Sequence, residues 1–178
     1  MEKNQGAAAP AEHLHDSPAQ VTPETLVGEI MTRDVLTAKA DQLVVDIVQL
    51  MAKNRITGLP VVDDANHLIG VVSESDIIGK AGDTVGDIMT NGSWTVGEDT
   101  PLGEAAELLL RRRIRRLPVI KGDNELVGLV SRSDLISFFA THVWTCSWCG
   151  KGYRGFYAPS SCNNCGGETF TIKAPDLT

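Results

Sequence analysis

The sequence contains one long internal repeat, which restricts the fold more than any other feature. Residues 27–78 align with residues 85–136 without a gap, and 21 of the 52 positions are identical. The two copies open on Val27-Gly-Glu-Ile-Met-Thr32 and Val85-Gly-Asp-Ile-Met-Thr90. Such self-similarity predicts two copies of one structural unit. A unit of about 55 residues buries only a marginal core by itself, so we expect the copies to pack against each other.

Each copy has the sequence pattern of a β-α-β-β-α unit that begins with a short helical turn. In the first copy, apolar residues from Val44 to Met51 follow the i, i+3, i+4, i+7 spacing of one helix face. Polar turns then separate two apolar segments, which predicts a tight hairpin. The second of these segments is apolar almost throughout, so we expect it to be buried on both faces. The predicted elements of the first copy are a helical turn at Val27–Met31, strands at Val35–Ala38, Leu59–Val62 and Leu68–Val72, and helices from Val44 and from Ser73.

The composition is that of a globular protein and makes some functions unfavourable. Of the 178 residues, 42% are hydrophobic and 22% are charged, and the formal net charge of -7 disfavours a general affinity for nucleic acid or anionic membranes. No apolar run approaches the roughly 20 residues of a transmembrane helix. Residues 1–24 show no helical or strand period and lack the apolar core of a secretory signal, which predicts a disordered tail. We therefore expect a cytoplasmic protein.

The motifs that the two copies share resemble those of the CBS domain, which nearly always occurs in pairs. The resemblance rests on the Ile-Met-Thr openings, on Leu-Pro-Val in both copies, and on Gly-Val-Val-Ser-Glu-Ser-Asp76 with its partner Gly-Leu-Val-Ser-Arg-Ser-Asp134. It covers residues 27–140 and implies an α/β (α+β) fold of tandem repeats. It also implies a cleft for an adenosine compound such as AMP, ATP or S-adenosylmethionine, and a further pairing of two modules into a homodimer.

The two Ser-x-x-Asp segments are candidate nucleotide contacts. Ser73 and Ser131 each end a strand and begin a helix, where free N–H groups and the helix dipole favour a phosphate. Asp76 and Asp134 offer two acceptor oxygens to the hydroxyls of a ribose, although a Ser and an Asp at a helix start also form an ordinary N-cap. The resemblance adds an apolar slot for adenine, and the full set of expected ligand contacts is Thr37, Ala38, Gly58, Pro60, Ser73, Asp76, Thr95, Val96, Arg113, Arg116, Pro118, Ser131 and Asp134.

Five arginines between Arg111 and Arg116 form a basic cluster in this acidic chain. A guanidinium can bind phosphate through two N–H groups at once. The resemblance places Arg113 and Arg116 at phosphate contacts, whereas Arg111 and Arg112 are expected at a solvated helix end. Gly58 is the equivalent of Arg116 in the first copy, so the two clefts should differ in their affinity for phosphate. No aromatic residues interleave with the cluster, so we do not expect nucleic acid as a partner.

All four cysteines lie near the C-terminal end, as two Cys-x2-Cys pairs separated by twelve residues. Two such pairs can place four thiolates at the corners of a tetrahedron, the geometry that zinc and mononuclear iron accept from sulfur. In a reducing compartment, metal ligation is favoured over disulfides. Gly150 and Gly166 follow the two pairs and can take the positive φ that such a knuckle needs. The expected metal ligands are Cys146, Cys149, Cys162 and Cys165.

The segment 141–178 is too short to fold on apolar burial alone, so metal binding would hold it together. It resembles a zinc ribbon, and it shares the twelve-residue spacing and a proline before the second pair, Pro159, with the rubredoxin-like domain of rubrerythrins. Those iron sites often carry proline within the knuckle, where this chain has Ser147-Trp148 and Asn163-Asn164, so zinc is favoured over iron. The small core expected around the metal consists of Trp144, Tyr153, Phe156, Tyr157 and Phe170.

The sequence therefore predicts a non-enzymatic regulatory protein. A CBS pair would bind an adenine nucleotide, and the zinc ribbon would serve as an output element or bind a protein partner. Two alternatives stay open: a rubredoxin-like iron protein whose electron transfer is gated by nucleotide, and a nucleic-acid-binding ribbon protein. The expected domains are a tail at 1–24, repeats at 25–80 and 81–140, and the ribbon at 141–178.

Overall fold

The computed structural model describes residues 25–173, which form two repeats and a small ribbon. The tail expected at 1–24 lies outside the described residues. The first repeat consists of α1 (Val27–Ile30), α2 (Val44–Asn54), β1 (Gly58–Val62), β2 (Leu68–Ser73) and α3 (Glu74–Gly79). The second consists of α4 (Val85–Ile88), β3 (Thr90–Asn91), α5 (Leu102–Arg111), β4 (Arg116–Lys121), β5 (Glu125–Ser131) and α6 (Arg132–Thr141). The ribbon consists of β6 (Val143–Cys146), β7 (Gly152–Tyr153) and β8 (Phe170–Lys173). This mixed architecture confirms the predicted fold class.

Each repeat is built around the predicted antiparallel hairpin, β1–β2 or β4–β5. The turns contain Asn66 and Asn124 with φ of 66° and 75°, a left-handed conformation that asparagine tolerates better than most residues. The two turns also meet each other. The N–H of Leu68 donates to the carbonyl of Asn124 at 2.9 Å, and the N–H of Leu126 donates to the carbonyl of Asn66 at 3.0 Å. The hairpins therefore pack as a symmetric pair.

Two sequence expectations about the strands are wrong. The strand expected at Val35–Ala38 is reduced to one residue, Ala38, which forms a parallel bridge with Val61. In the second repeat, Val96 forms the equivalent parallel bridge with Val119. The β2 strand is also not buried on both faces, because its residues alternate between buried and more exposed positions. The outward-pointing Val71 lines a cavity between the repeats instead of packing into a core.

The first helical turn of each repeat packs into the core of the other repeat. Val27 of α1 lies in the core formed by α5, α6 and the β4–β5 hairpin, and Val85 of α4 lies in the core formed by α2 and the β1–β2 hairpin. Both valines are fully buried. Backbone hydrogen bonds hold each turn against the other repeat, an arrangement called here the exchange of α1 and α4. The N–H of Val27 donates to the carbonyl of Thr100, and the N–H of Val85 donates to the carbonyl of Gln42, both at 2.9 Å. Neither repeat has a complete core without the other.

Glycines at equivalent positions make room for this exchange. A Cβ on Gly28 would lie 3.1 Å from the carbonyl oxygen of Glu98, and a Cβ on Gly86 would lie 3.1 Å from that of Ala40. Both distances are shorter than ordinary van der Waals contact, so the glycines allow the exchanged turns to approach the backbone of the other repeat.

The ribbon is docked on the second repeat through two aromatic residues that were expected in its own core. Phe156 packs against the core of the second repeat and stacks on Phe138 of α6, with ring centroids 6.1 Å apart. Tyr157 lies against Gly103 of α5, where an added Cβ would overlap the Tyr157 ring and hydroxyl. The ribbon core itself consists of Trp144, Cys146, Ala158, Cys162 and Phe170, with Tyr153 packed against it.

The contact between Tyr157 and Gly103 gives a test of this docking. A Gly→Ala change inside a helix normally stabilises it by about 1 kcal/mol. Gly103→Ala should instead displace Tyr157 and increase hydrogen exchange across residues 152–158. Gly79→Ala in α3 is the matched control, because nothing lies within 4 Å of a Cβ there. Unchanged exchange in the ribbon of the Gly103→Ala protein would contradict the docked arrangement.

Candidate functional site

A cavity of about 560 Å³ lies between the two repeats, within the range of small-molecule sites. Six of the expected ligand contacts lie on its walls: Gly58, Pro60, Ser73, Arg113, Arg116 and Pro118. The other lining residues are Thr57, Leu59, Val71, Val72, Glu74, Ser75, Thr90, Gly92, Ser93, Trp94, Ile114, Arg115 and Leu129.

Three arginines give this cavity a positively charged wall. A guanidinium N–H of Arg116 donates to the hydroxyl of Thr57 at 2.7 Å, which fixes its side chain across the two repeats. Arg115 lies 3.6 Å from the carboxylate of Glu74, an exposed ion pair of little energetic weight. With Arg113, the cavity carries three cationic side chains against one carboxylate, which favours an anionic ligand. The sequence had indicated Arg113 and Arg116 but not Arg115.

Asp76 is held in a dense network and is only 7% exposed. Its Oδ2 accepts from the N–H and the hydroxyl of Ser73 at 2.9 and 2.6 Å, and its Oδ1 accepts from the hydroxyl of Thr90 at 2.9 Å. The ammonium of Lys80 lies 2.8 Å from Oδ1. Burial raises the pKa of Asp76, but the hydrogen bonds from Lys80, Ser73 and Thr90 outweigh it and lower the pKa below its ordinary value of 3.8. The carboxylate therefore has a capping role in the fold itself.

Asp134 occupies the equivalent position in the second repeat with fewer contacts. Its Oδ2 accepts from the N–H and the hydroxyl of Ser131 at 2.8 and 2.7 Å, which completes a capping box at the start of α6. Asp134 is half-buried. Ser131 lies opposite Arg116 in the β4–β5 hairpin, so this cap adjoins the strand that carries the arginines.

Trp94 is a cavity residue that sequence reasoning missed. Its side chain is 48% exposed and lines the cavity. The guanidinium carbon of Arg112 lies 3.8 Å from the centroid of its ring. A signal was available, because Trp94 directly precedes the expected contact Thr95 and replaces an aliphatic residue, Leu36, of the first copy.

The residues of the expected first strands, Thr37-Ala38 and Thr95-Val96, which were to form the adenine slot with Gly58, do not line this cavity. Thr95 and Val96 lie on a separate open groove along α5, which also contains Arg111 in an ion pair with Glu107 at 2.6 Å. Ala38 is buried and lies outside both, as does the neighbouring Thr37. Of the expected phosphate contacts, the structure brings Ser73, Arg113 and Arg116 to one cavity, whereas Ser131 is not among its lining residues. The expected ribose contacts Asp76 and Asp134 do not line it either.

The four cysteines of the ribbon converge on one point. Their sulfur atoms all lie within 4.8 Å of one another. The sulfurs of Cys146 and Cys165 are 3.7 Å apart, and those of Cys149 and Cys162 are 3.5 Å apart. Four sulfurs at 2.3 Å from a tetrahedral metal ion would be separated by about 3.8 Å. The cluster therefore fits one metal ion without rearrangement of the chain.

Both knuckles have the backbone geometry that the glycines were expected to provide. Gly150 and Gly166 have φ of 74° and 75°. Their N–H groups donate to the carbonyls of Cys146 and Cys162 at 2.9 and 2.8 Å, which closes each Cys-x2-Cys turn. A residue with a Cβ would be strained at either position.

The thiols influence one another's pKa values strongly. The hydroxyl of Tyr153 lies 3.1 Å from the sulfur of Cys162 and lowers the pKa of that thiol to about 6. The N–H of Gly167 favours the thiolate of Cys165, but the three neighbouring thiols and burial together raise its pKa to about 12. Four adjacent sulfurs cannot all ionise without a cation, and a bound metal supplies that charge.

Comparison with known proteins relates the two repeats to one family. The family model of the CBS domain matches residues 27–83 and 85–141, more than half of the chain. The ribbon lies beyond both matches. Within residues 25–173, no helix is sufficiently long and apolar to cross a membrane.

The similar proteins include CBS-domain pairs and parts of larger enzymes. CBSX2 from Arabidopsis thaliana in complex with AMP is 35% identical with a TM-score of 0.61, over 63% of this chain and 93% of that one. The CBS domain pair of protein MJ0100, in complex with 5′-methylthioadenosine and S-adenosyl-L-methionine, is 28% identical with a TM-score of 0.62, over 66% and 98%. Inosine-5′-monophosphate dehydrogenase of Methanocaldococcus jannaschii is 33% identical over 110 residues, which are 61% of this chain but 22% of the enzyme.

Asp76 and Asp134 should contribute differently to the free energy of unfolding. Asp76→Ala removes a buried carboxylate and leaves Lys80, Ser73 and Thr90 without their partner, so we expect a loss of about 3 kcal/mol of unfolding free energy. Asp134→Ala should cost about 1 kcal/mol, as for the loss of a helix cap. Chemical denaturation at pH 7 measures both, and equal losses would contradict the difference in their contacts.

The lowered pKa of Asp76 also predicts a pH dependence. Its ionised form contributes stability that is complete above its ordinary pKa of 3.8 and is lost as the pH falls through the lower folded value. The Asp76→Asn protein should therefore lose less stability than the wild type between pH 5 and pH 2.

Proposed function

The chain belongs to the CBS-domain family, and on that premise we propose that it is a non-enzymatic regulatory protein that binds an adenine nucleotide. The observation that carries the proposal is the cavity between the repeats, with Arg113, Arg115 and Arg116 on its wall. The AMP complex of CBSX2, a protein with the same fold over the repeat pair, supports an adenosine ligand. The match to the dehydrogenase spans only 22% of that enzyme, so it gives no reason to assign its activity to this chain. We assign the protein to the cytoplasm.

The charge of the cavity favours a phosphate-bearing ligand over S-adenosylmethionine. The sulfonium group of S-adenosylmethionine is a cation, which three arginines would repel. A phosphate can instead accept charge-assisted hydrogen bonds from Arg113 and Arg116, and it can replace Thr57 as the partner of Arg116. AMP, ADP and ATP are therefore the ligands that we propose for this cavity.

The ribose is the part of the ligand that we assign to the Ser-x-x-Asp segments. Ser73 lies on the cavity wall, but both oxygens of Asp76 already have protein partners. Asp134 does not line the cavity itself, but it caps Ser131, which pairs with the cavity residue Arg116. Its hydrogen bonds from Ser131 use Oδ2, so its Oδ1 is the better candidate to accept from a ribose hydroxyl.

We further propose that the ribbon holds one zinc ion. The sulfur positions fit a tetrahedral ion, and the donor set of four thiolates suits zinc or mononuclear iron. The knuckles contain Ser147-Trp148 and Asn163-Asn164, without the proline that is frequent in rubredoxin-like sites, which supports zinc. A bound ion would supply the charge that lets all four thiols ionise and would hold the two knuckles together.

The ribbon and the helices of the first repeat are the surfaces that we assign to partners. Phe156 and Tyr157 fix the ribbon on the second repeat, so it can present a rigid surface to another protein. In the first repeat, apolar side chains remain exposed: Val45 at 55%, Val48 at 39% and Ile78 at 85%. A second copy of the chain could cover them, which supports a homodimer.

Arg116 should distinguish ligands with a phosphate from those without one. Arg116→Ala should weaken AMP binding by about 10- to 100-fold, the scale of one or two charge-assisted hydrogen bonds, and should leave adenosine binding nearly unchanged. Isothermal titration calorimetry measures both. Thr57→Ala is one control, because it removes the partner of Arg116 and retains the charge; Arg111→Ala is another, because Arg111 lies outside the cavity. Equal losses for AMP and adenosine would contradict the assignment.

Removal of the metal should unfold the ribbon alone. We expect one metal ion per chain, and a strong chelator under reducing conditions should abolish hydrogen-exchange protection across residues 142–173. Protection should persist across residues 27–140, because the repeats have their own apolar cores. Reduced protein without metal, or a ribbon that stays protected after metal removal, would contradict the site. A red colour in the oxidised protein would indicate iron rather than zinc.

A further inference from the structure

Trp94 places an exposed aromatic ring inside the charged cavity. A single exposed apolar side chain on a protein surface needs no explanation. Trp94 differs because its indole is 48% exposed within a concave site that also contains Arg113, Arg115 and Arg116. The cavity thus combines a flat π surface with cationic groups, the two features that recognise the base and the phosphate of a nucleotide.

The stacking of Arg112 on Trp94 prepares the ring for this role. The guanidinium carbon lies 3.8 Å from the ring centroid, so one face of the indole is covered by a cation. An indole has two faces, and its exposed surface lines the cavity. A planar base that stacks there would complete a sandwich of guanidinium, indole and base, in which the contact with Arg112 also limits the motion of the ring.

The internal repeat shows that this arrangement is confined to one side of the pair. Leu36 occupies the position equivalent to Trp94, and Asn54 occupies the position equivalent to Arg112. Leucine offers no π face and asparagine no cation. The residues equivalent to Arg115 and Arg116 are Thr57 and Gly58, which are also uncharged. Of the three cavity arginines, Arg113 alone has a charged equivalent, Arg55.

We propose that Trp94 is the stacking platform for the purine base of the nucleotide, with Arg112 behind it, and that this cavity is one high-affinity site per chain. The inference rests on the proposed function and deepens it, because it names the base contact that Thr95 and Val96 do not provide in this cavity. The base stacks on Trp94, while the phosphate is bound by Arg113, Arg115 and Arg116.

The test separates the base from the phosphate. AMP, adenosine and ribose 5-phosphate are titrated by calorimetry into the full-length wild type and into Trp94→Leu, which introduces the residue of the first repeat. Trp94→Leu should weaken AMP and adenosine by the same factor, about 5- to 100-fold, the range observed when a stacking aromatic is removed. Ribose 5-phosphate should bind both proteins equally. Trp94→Phe should retain most of the affinity for AMP, because it retains a π face.

A tryptophan far from the cavity provides the matched control. Trp148 in the first knuckle is 74% exposed, so Trp148→Leu removes an exposed indole without a change to the cavity and should bind AMP as the wild type does. In the Trp148→Leu protein, the remaining tryptophans are Trp94 and Trp144. Trp144 is buried in the ribbon core, so a decrease in fluorescence on addition of AMP would report on Trp94. The wild type should bind one AMP per chain.

The outcomes distinguish a failure of the stacking role of Trp94 from a failure of nucleotide binding as a whole. Wild-type affinity of the Trp94→Leu protein for AMP and adenosine would overturn the stacking role and leave the proposed function intact. A parallel loss for ribose 5-phosphate would show that Trp94 supports only the shape of the cavity, which also overturns the inference. Two sites of equal affinity would overturn the single-site part. Absence of binding of AMP, ADP and ATP to the wild type would overturn the proposed function itself.

Discussion

The reciprocal exchange of the first helical turns is the interaction on which the rest of the structure depends. Val27 completes the core of the second repeat, and Val85 completes the core of the first. Each repeat of about 55 residues would otherwise bury too little apolar surface to be stable alone. The exchange therefore makes the pair, rather than the single repeat, the folding unit. It also explains why Gly28 and Gly86 stand at equivalent positions, since each lies against the backbone of the other repeat.

The same exchange builds the cavity. The chain that follows α4 adds β3 to the edge of the first repeat, where Thr90 pairs with Val71. As a result, Trp94 of the second repeat and Ser73 of the first repeat line the same cavity. The site thus combines a capped helix start from one repeat with an aromatic ring and arginines from the other. A ligand that contacts both would stabilise their association, which is how a binding module without chemistry of its own can change the state of a partner.

Sequence patterns predicted what depends on local spacing and missed what depends on tertiary contacts. The repeat, the hairpins and the left-handed knuckle glycines followed from periodicity and from the conformational freedom of Gly150 and Gly166. The exchange of α1 and α4 leaves no periodic signal in the sequence, because a helical turn has the same apolar pattern whichever of the two cores it packs into. Phe156 was expected beside the cysteines for the same reason, because composition does not show which of two adjacent cores an aromatic residue joins. The stacking of Arg112 on Trp94 joins residues 18 positions apart in a turn-and-helix segment, beyond any local pattern.

Helix α5 physically connects the ribbon to the cavity between the repeats. Its first turn contacts the ribbon, where Gly103 lies against Tyr157. Its last residue, Arg111, leads directly into Arg112, which stacks on Trp94. Ten helical residues span about 15 Å as one rigid rod, so a displacement at one end is transmitted to the other rather than absorbed. If nucleotide binding shifts Arg112, the contact between Gly103 and Tyr157 shifts with it, and by linkage a change that breaks this contact would alter nucleotide affinity in turn. An output role for the ribbon therefore requires no element beyond this helix.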